Sequence, residues 1–109
     1  MAGDPVKALL KALHSLAVSR GSGIAGIAMA GGQDRVKIDV RAFYKHHDEE
    51  TGYALFSEAL QSLTDSGYKK LEDMGIRVVR ERGTLYIEVP VDLLRDPRRI
   101  EVMMGNDKA

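Results

Sequence analysis

Three glycines near the start of the chain match a phosphate-binding pattern. Gly21, Gly23 and Gly26 have the spacing G-x-G-x-x-G. This fingerprint cradles a pyrophosphate where it follows a strand and opens a helix, because the helix N-terminus then faces the phosphates. Here it follows a helical pattern, so we interpret it as a helix end that leads into a strand, with Gly26 allowing close backbone packing.

Two adjacent histidines, His46 and His47, precede three acids at positions 48–50, and all five are metal-ligand types. Neighbouring residues of an extended segment point to opposite sides, so these side chains would not converge on one metal ion. The sequence also has no H-x-x-x-H spacing and no cysteine. The pattern therefore favours a charged turn that caps the next helix over a metal site. The sequence contains no G-x-S-x-G, P-loop or H-E-x-x-H motif. We therefore expect no enzyme activity, no cofactor and no metal. An enzyme would instead need a pocket that holds His14, His46 or His47 beside a carboxylate.

Basic and aromatic side chains are interleaved in residues 35–47, where four cations face only Asp39. Strand faces of this kind hold single-stranded nucleic acids, with cations along the phosphates and bases stacked on rings. A solvated outer sheet face with two core aromatics would give the same pattern. The predicted nucleic-acid contacts are Lys37, Arg41, Tyr44 and Lys45 on the first part of the sheet, and Arg77, Arg80, Arg82 and Tyr86 on a later hairpin.

A second nucleic-acid signal lies in residues 53–90. A helical pattern there is interrupted at residues 64–67. If one helix runs through, Gly67 destabilises it by roughly 1 kcal/mol relative to alanine. The alternative is two helices, with Asp65 or Ser66 as the N-cap of the second. A break would give a helix-turn-helix followed by a basic wing, with the residues at 68–70 exposed. One long kinked helix over a sheet is the other interpretation. The succession of elements resembles that of winged and roadblock-like domains, and no residue is carried across from either.

The elements that must position these residues follow from periodicity and turn residues. Asp4 and Pro5 open a helix over about residues 5–19, and residues 24–40 indicate a hairpin turning at 31–34. A second hairpin turns at Arg82-Gly83 and stops at Pro90, and residues 91–104 form a short helix or strand interrupted by Pro97. We therefore predict an α+β fold: a four-stranded antiparallel sheet of two hairpins with helices packed on one face, in the order α-ββ-α(α)-ββ-α. Residues 1–104 form a single domain and 105–109 a flexible tail.

Length and charge limit the function classes. A chain of 109 residues has room for one small domain, and 16 basic against 16 acidic residues leave no long-range field. No apolar stretch is long enough to span a membrane, and an acid lies where a signal peptide carries base, so we expect a cytoplasmic protein.

The charge is nevertheless uneven along the chain, with residues 1–47 basic and residues 48–74 acidic. The leading hypothesis is a non-catalytic nucleic-acid-binding domain that acts as a homodimer and binds single-stranded nucleic acid or DNA. The alternative uses the opposed charges to join copies of the chain: a homo-oligomeric protein-interaction module, adaptor or scaffold, without nucleic-acid binding.

Overall fold

The computed structural model of the chain describes residues 3–105. The first helix, α1 (Pro5–Leu16), begins where the Asp4 carboxylate accepts hydrogen bonds from the backbone N–H groups of Val6 and Lys7, at 3.1 and 3.2 Å. This is the N-cap that the sequence predicts. The helix continues through a π-helical turn (Ala17–Gly21) into α2 (Ser22–Ala30).

The predicted first hairpin is wrong, because residues 22–30 form a helix and not a strand. Four of these nine residues are alanine or methionine, which favour a helix. The glycine cluster after them ends the helix. Gly32 has a φ of 77°, its N–H donates to the Met29 carbonyl, and the Gln33 N–H donates to the Ala28 carbonyl. This pair of bonds is a Schellman motif, and glycine is the residue that adopts its left-handed position most readily.

The sheet has three antiparallel strands in the order β1-β3-β2: β1 (Arg35–Asp39), β2 (Arg77–Glu81) and β3 (Thr84–Pro90). The predicted four-stranded sheet of two hairpins is therefore wrong. β1 pairs directly with β3, with Ile38 opposite Ile87, and both side chains are buried on the inner face. The predicted second hairpin is confirmed, with its turn at Arg82-Gly83 and its end at Pro90.

The central segment breaks into two helices, α3 (Phe56–Gln61) and α4 (Asp65–Asp73). The N-cap of α4 is Thr64 and not Asp65 or Ser66, the two residues we predicted. The Thr64 hydroxyl accepts a hydrogen bond from the backbone N–H of Gly67 at 3.3 Å. Two 3₁₀ helices, Val40–His46 and Glu49–Thr51, connect β1 to α3. The buried ring of Phe43 in the first of them stacks on Phe56, with centroids 5.3 Å apart.

After β3 the chain forms two short helices on either side of Pro97, α5 (Val91–Arg95) and α6 (Arg98–Met103). Gly105 is an exposed turn residue, and the rest of the predicted tail, 106–109, lies outside the described residues. Within residues 3–105, no helix combines the length and apolar character needed to cross a bilayer.

One core joins the helices to the inner sheet face. Its largest fully buried side chains are Phe43, Phe56, Leu9, Leu10, Leu13, Leu16, Leu71, Ile76, Ile87, Leu94, Ile100 and Val89.

Candidate nucleic-acid interface

Helices α3 and α4 follow one another through a turn at residues 62–64 and form a unit in which both helices pack on α1. Leu71 of α4 is buried in the core, and Gly67 lies against α1 and the turn: a Cβ there would stand 3.1 Å from the Leu63 side chain and 3.4 Å from the Val6 side chain. The small residue thus lets α4 pack closely. The opposite side of α4 exposes Tyr68, Lys69 and Lys70.

The β2–β3 hairpin carries three exposed arginines, Arg77, Arg80 and Arg82, of which Arg77 lies against α4. Arg77 lines a groove between α4 and β2 together with five residues of α4: Asp65, Tyr68, Lys69, Leu71 and Glu72. Arg82 lies in the hairpin turn with a φ of 52°, followed by Gly83 with a φ of 80°. Positive φ at both central residues is typical of a type I′ turn, in which Asn or Gly is the usual first residue. An arginine therefore occupies a position that the turn itself does not favour.

The cations of the first strand are engaged by carboxylates. Lys37 Nζ lies 2.8 Å from Glu81 Oε2, and this hydrogen bond raises the pKa of Lys37. Arg41 donates to both oxygens of Asp39, at 3.1 and 2.7 Å, and its side-chain and backbone hydrogen bonds lower the pKa of Asp39 to about 2. These two predicted contacts therefore carry paired charges.

The cations of α4 and the hairpin differ in this respect. Among residues 3–105, salt bridges join seven other cations and His14 to acids. No carboxylate of that part of the chain lies within salt-bridge distance of Lys69, Lys70, Arg77, Arg80 or Arg82. Exposed cations without an internal partner are free to pair with phosphates.

The predicted aromatic contacts lie in two places. Tyr44 is 50% exposed beside Phe56, and it lines a shallow depression together with Arg41 and Arg80. Tyr86 is half-buried on the outer sheet face, between Asp39 and Val79 in the strand pairing. Three of the eight predicted residues thus share one depression, whereas Arg77 lies in the α4 groove and Arg82 in the turn. Lys45 is exposed on the first 3₁₀ helix and lines neither the depression nor the groove.

The predicted contact set leaves out Tyr68 and Lys69, which line the groove with Arg77, and Lys70, which is exposed on the same helix. The signal for them was Thr64, a good N-cap residue three positions before Gly67, because it marks the start of a separate short helix.

The histidines are used within the fold. His46 Nδ1 lies 2.9 Å from the Ser15 hydroxyl, and His47 Nε2 donates to the Tyr53 carbonyl at 2.6 Å. Residues 3–105 contain no group of three His, Asp or Glu side chains arranged to hold a metal ion. Comparisons of the chain with protein-family models, with curated proteins and with solved structures find no match.

Proposed function

We propose that this chain is a non-catalytic DNA-binding domain that places α4 and the β2–β3 hairpin on a duplex. The observation that carries the proposal is the distribution of unpaired charge. The cations of α4 and the hairpin lack carboxylate partners among the described residues, whereas Lys37 of β1 and Arg41 of the 3₁₀ helix after it have them. A surface that binds phosphates needs cations that are not already paired with carboxylates.

The arrangement of the helices supports this use. A helix-turn-helix inserts its second helix into the major groove, which is about 12 Å wide and admits one α-helix. Here α4 is that second helix, anchored by Leu71 and Gly67 on its inner side, with Tyr68, Lys69 and Lys70 outside. In this pose Arg82, in the turn of the adjacent hairpin, contacts phosphates beside the groove.

The depression at Tyr44 is a second part of the proposed interface, and Arg80, which lines it, follows Val79 of the α4 groove along β2. Arg80 supplies an unpaired cation there, and the exposed Tyr44 ring offers a face on which a base or sugar can stack. Arg41 and Lys37 contribute less, because each must exchange a carboxylate for a phosphate. Tyr86 lies among these pairs on the outer face and has a secondary role.

The acids nearby limit the affinity. Asp65 precedes the two adjacent lysines on α4, and Glu72 and Asp73 follow them, so the helix is not uniformly basic. We therefore propose modest affinity for each chain and a cytoplasmic homodimer that gains affinity by binding two half-sites.

Fluorescence anisotropy with labelled duplex DNA, single-stranded DNA and single-stranded RNA tests the proposal. We expect duplex DNA to bind most tightly, and Kd to rise roughly 10²- to 10³-fold between 50 and 200 mM salt if four or five phosphates are contacted. Lys70→Ala and Arg82→Ala should each reduce the salt slope by about 1. Arg20→Ala is the matched control, since Arg20 is exposed and has no salt-bridge partner among residues 3–105 but lies in the π-helical turn.

Two results would overturn the proposal. The first is the absence of any anisotropy change with all three nucleic acids at low salt. The second is an equal loss of binding in Arg20→Ala and Arg82→Ala, because binding would then reflect total charge and not the α4–hairpin surface.

A further inference from the structure

Helix α2 presents an apolar face that residues 3–105 leave uncovered. Ile27 is 79% exposed and Met29 is 48% exposed, and Val18 in the preceding π-helical turn is 65% exposed. The helix contains no charged residue, and only Ala25 and Ala28 are buried against the core. An exposed apolar surface of this kind is typical of an interaction site.

Two glycines on this helix have no explanation among residues 3–105. Gly23 and Gly26 do not have positive φ, and a Cβ on either would meet no atom of that part of the chain within 4 Å outside its own helix turn. Glycine is among the least favourable residues inside a helix, so these positions are not chosen for helix stability. Gly21, by contrast, has an internal reason, since a Cβ there would collide with the Leu94 carbonyl. Glycines whose Cβ space is empty allow another backbone to approach closely.

We propose that α2 pairs with α2 of a second copy of this chain around a two-fold axis. In an antiparallel pair Ile27 of each copy packs over Gly23 and Gly26 of the other, so that one helix supplies both the projecting side chain and the space that receives it. Such self-complementarity is what a two-fold interface requires.

Charge favours a second copy over other occupants. Close to a two-fold axis each charge lies near the same charge of the partner, so an uncharged helix can pair with itself there without repulsion. Residues 21–33 contain no charged side chain, whereas α4 and the sheet carry several. A nucleic acid or an acidic peptide would find no cation on α2 with which to pair. Helix α2 packs beside α5 and β1, whereas α4 packs on α1 and β2. The proposed dimer surface and the proposed DNA-binding surface therefore lie on different elements.

The test is the mass of the full chain in solution without DNA, measured by light scattering and sedimentation. We expect a dimer for the wild type and, for Ile27→Glu, a monomer or a dimer dissociation constant raised roughly tenfold or more. Val102→Glu on α6 is the matched control, because Val102 is also exposed, at 60%, and should keep the dimer. Circular dichroism confirms that both variants remain folded.

A cross-linking experiment provides a second measurement. The chain has no cysteine, so Gly26→Cys introduces a single thiol, which should form a disulfide between copies on mild oxidation because Gly26 lies near the proposed axis. Val102→Cys should not. A monomeric wild type, a dimeric Ile27→Glu or equal cross-linking of the two cysteine variants would each overturn the proposal, and none of these results depends on DNA binding.

Discussion

Lys37 and Glu81 lie on the two outer strands of the sheet and meet across β3, with Lys37 Nζ 3.0 and 2.8 Å from the two carboxylate oxygens of Glu81. The pair joins a cation that the sequence offered as a phosphate contact to an acid from the proposed DNA-binding hairpin. Both side chains are nearly half exposed, so the bond contributes little to stability. Its main effect is to reduce the positive charge available to a ligand.

The first prediction concerns release of this charge. Glu81→Gln removes the acid and leaves Lys37 unpaired, so we expect duplex DNA to bind more tightly and the salt slope to become more negative by about 1. Anisotropy titrations at two salt concentrations measure both effects. Asp92→Asn makes the same change of charge on α5, where Asp92 pairs with Arg95 and Arg99. An equal gain in that variant would mean that overall charge, and not Lys37, is responsible.

The second prediction concerns the arginine in the hairpin turn. Arg82 holds a φ of 52°, a conformation that costs most residues about 1 to 2 kcal/mol and costs asparagine or glycine less. Arg82→Asn should therefore raise the free energy of unfolding by up to about 1 kcal/mol while weakening DNA binding. Denaturant unfolding and anisotropy give the two values. A variant that loses stability, or that keeps full affinity, contradicts the view that Arg82 is present for its charge.

The third prediction concerns the start of α4. Thr64→Ala removes the hydroxyl that accepts the Gly67 N–H, and loss of an N-cap costs about 1 kcal/mol. We expect a lower denaturation midpoint and weaker DNA binding, because the first turn of α4 frays. Thr64→Ser keeps the acceptor and should behave like the wild type. Equal behaviour of the two variants would show that this cap does not hold α4.

Local signals were sufficient for some elements of the fold. Asp4 and Pro5 mark the start of α1 because capping and a fixed φ act within one turn of the chain. The Arg82-Gly83 turn was likewise predicted, since strand alternation on both sides requires a reversal there. The break between α3 and α4 was left open, because Thr64 and Gly67 suit both a cap and a kink.

Non-local packing decided the rest. Residues 24–30 have no clear period, so whether they form a helix or a strand depends on the π-helical turn before them and the packing of Gly21 on Leu94. The pairing of β1 with β3 joins residues such as Ile38 and Ile87, whose contact no local pattern reveals. The same holds for the site: Lys37 and Glu81 are 44 positions apart, and only the sheet brings them together.

The fourth prediction concerns His46 and the dependence of stability on pH. His46 Nε2 is buried without a hydrogen-bond partner among the described residues, and burial, followed by the charges of Lys45 and Arg20, lowers the pKa of His46 below its ordinary 6.5. The folded chain thus favours the neutral ring, whereas the unfolded chain takes up a proton near pH 6.5. The stability that the neutral His46 ring contributes is fully present above pH 6.5 and is lost as the pH falls below that value.

Urea denaturation at about pH 7.5 and about pH 5.5 measures this loss against His46→Gln, which should show a smaller fall in midpoint at acid pH. Arg20→Gln is an intermediate case, because it removes one of the positive charges that oppose protonation of His46 while leaving the buried ring in place. Titration of the His46 ring by NMR gives its pKa directly. A ring that titrates at or above 6.5 in the folded protein would contradict the prediction, since the folded state would then bind the proton at least as well as the unfolded state.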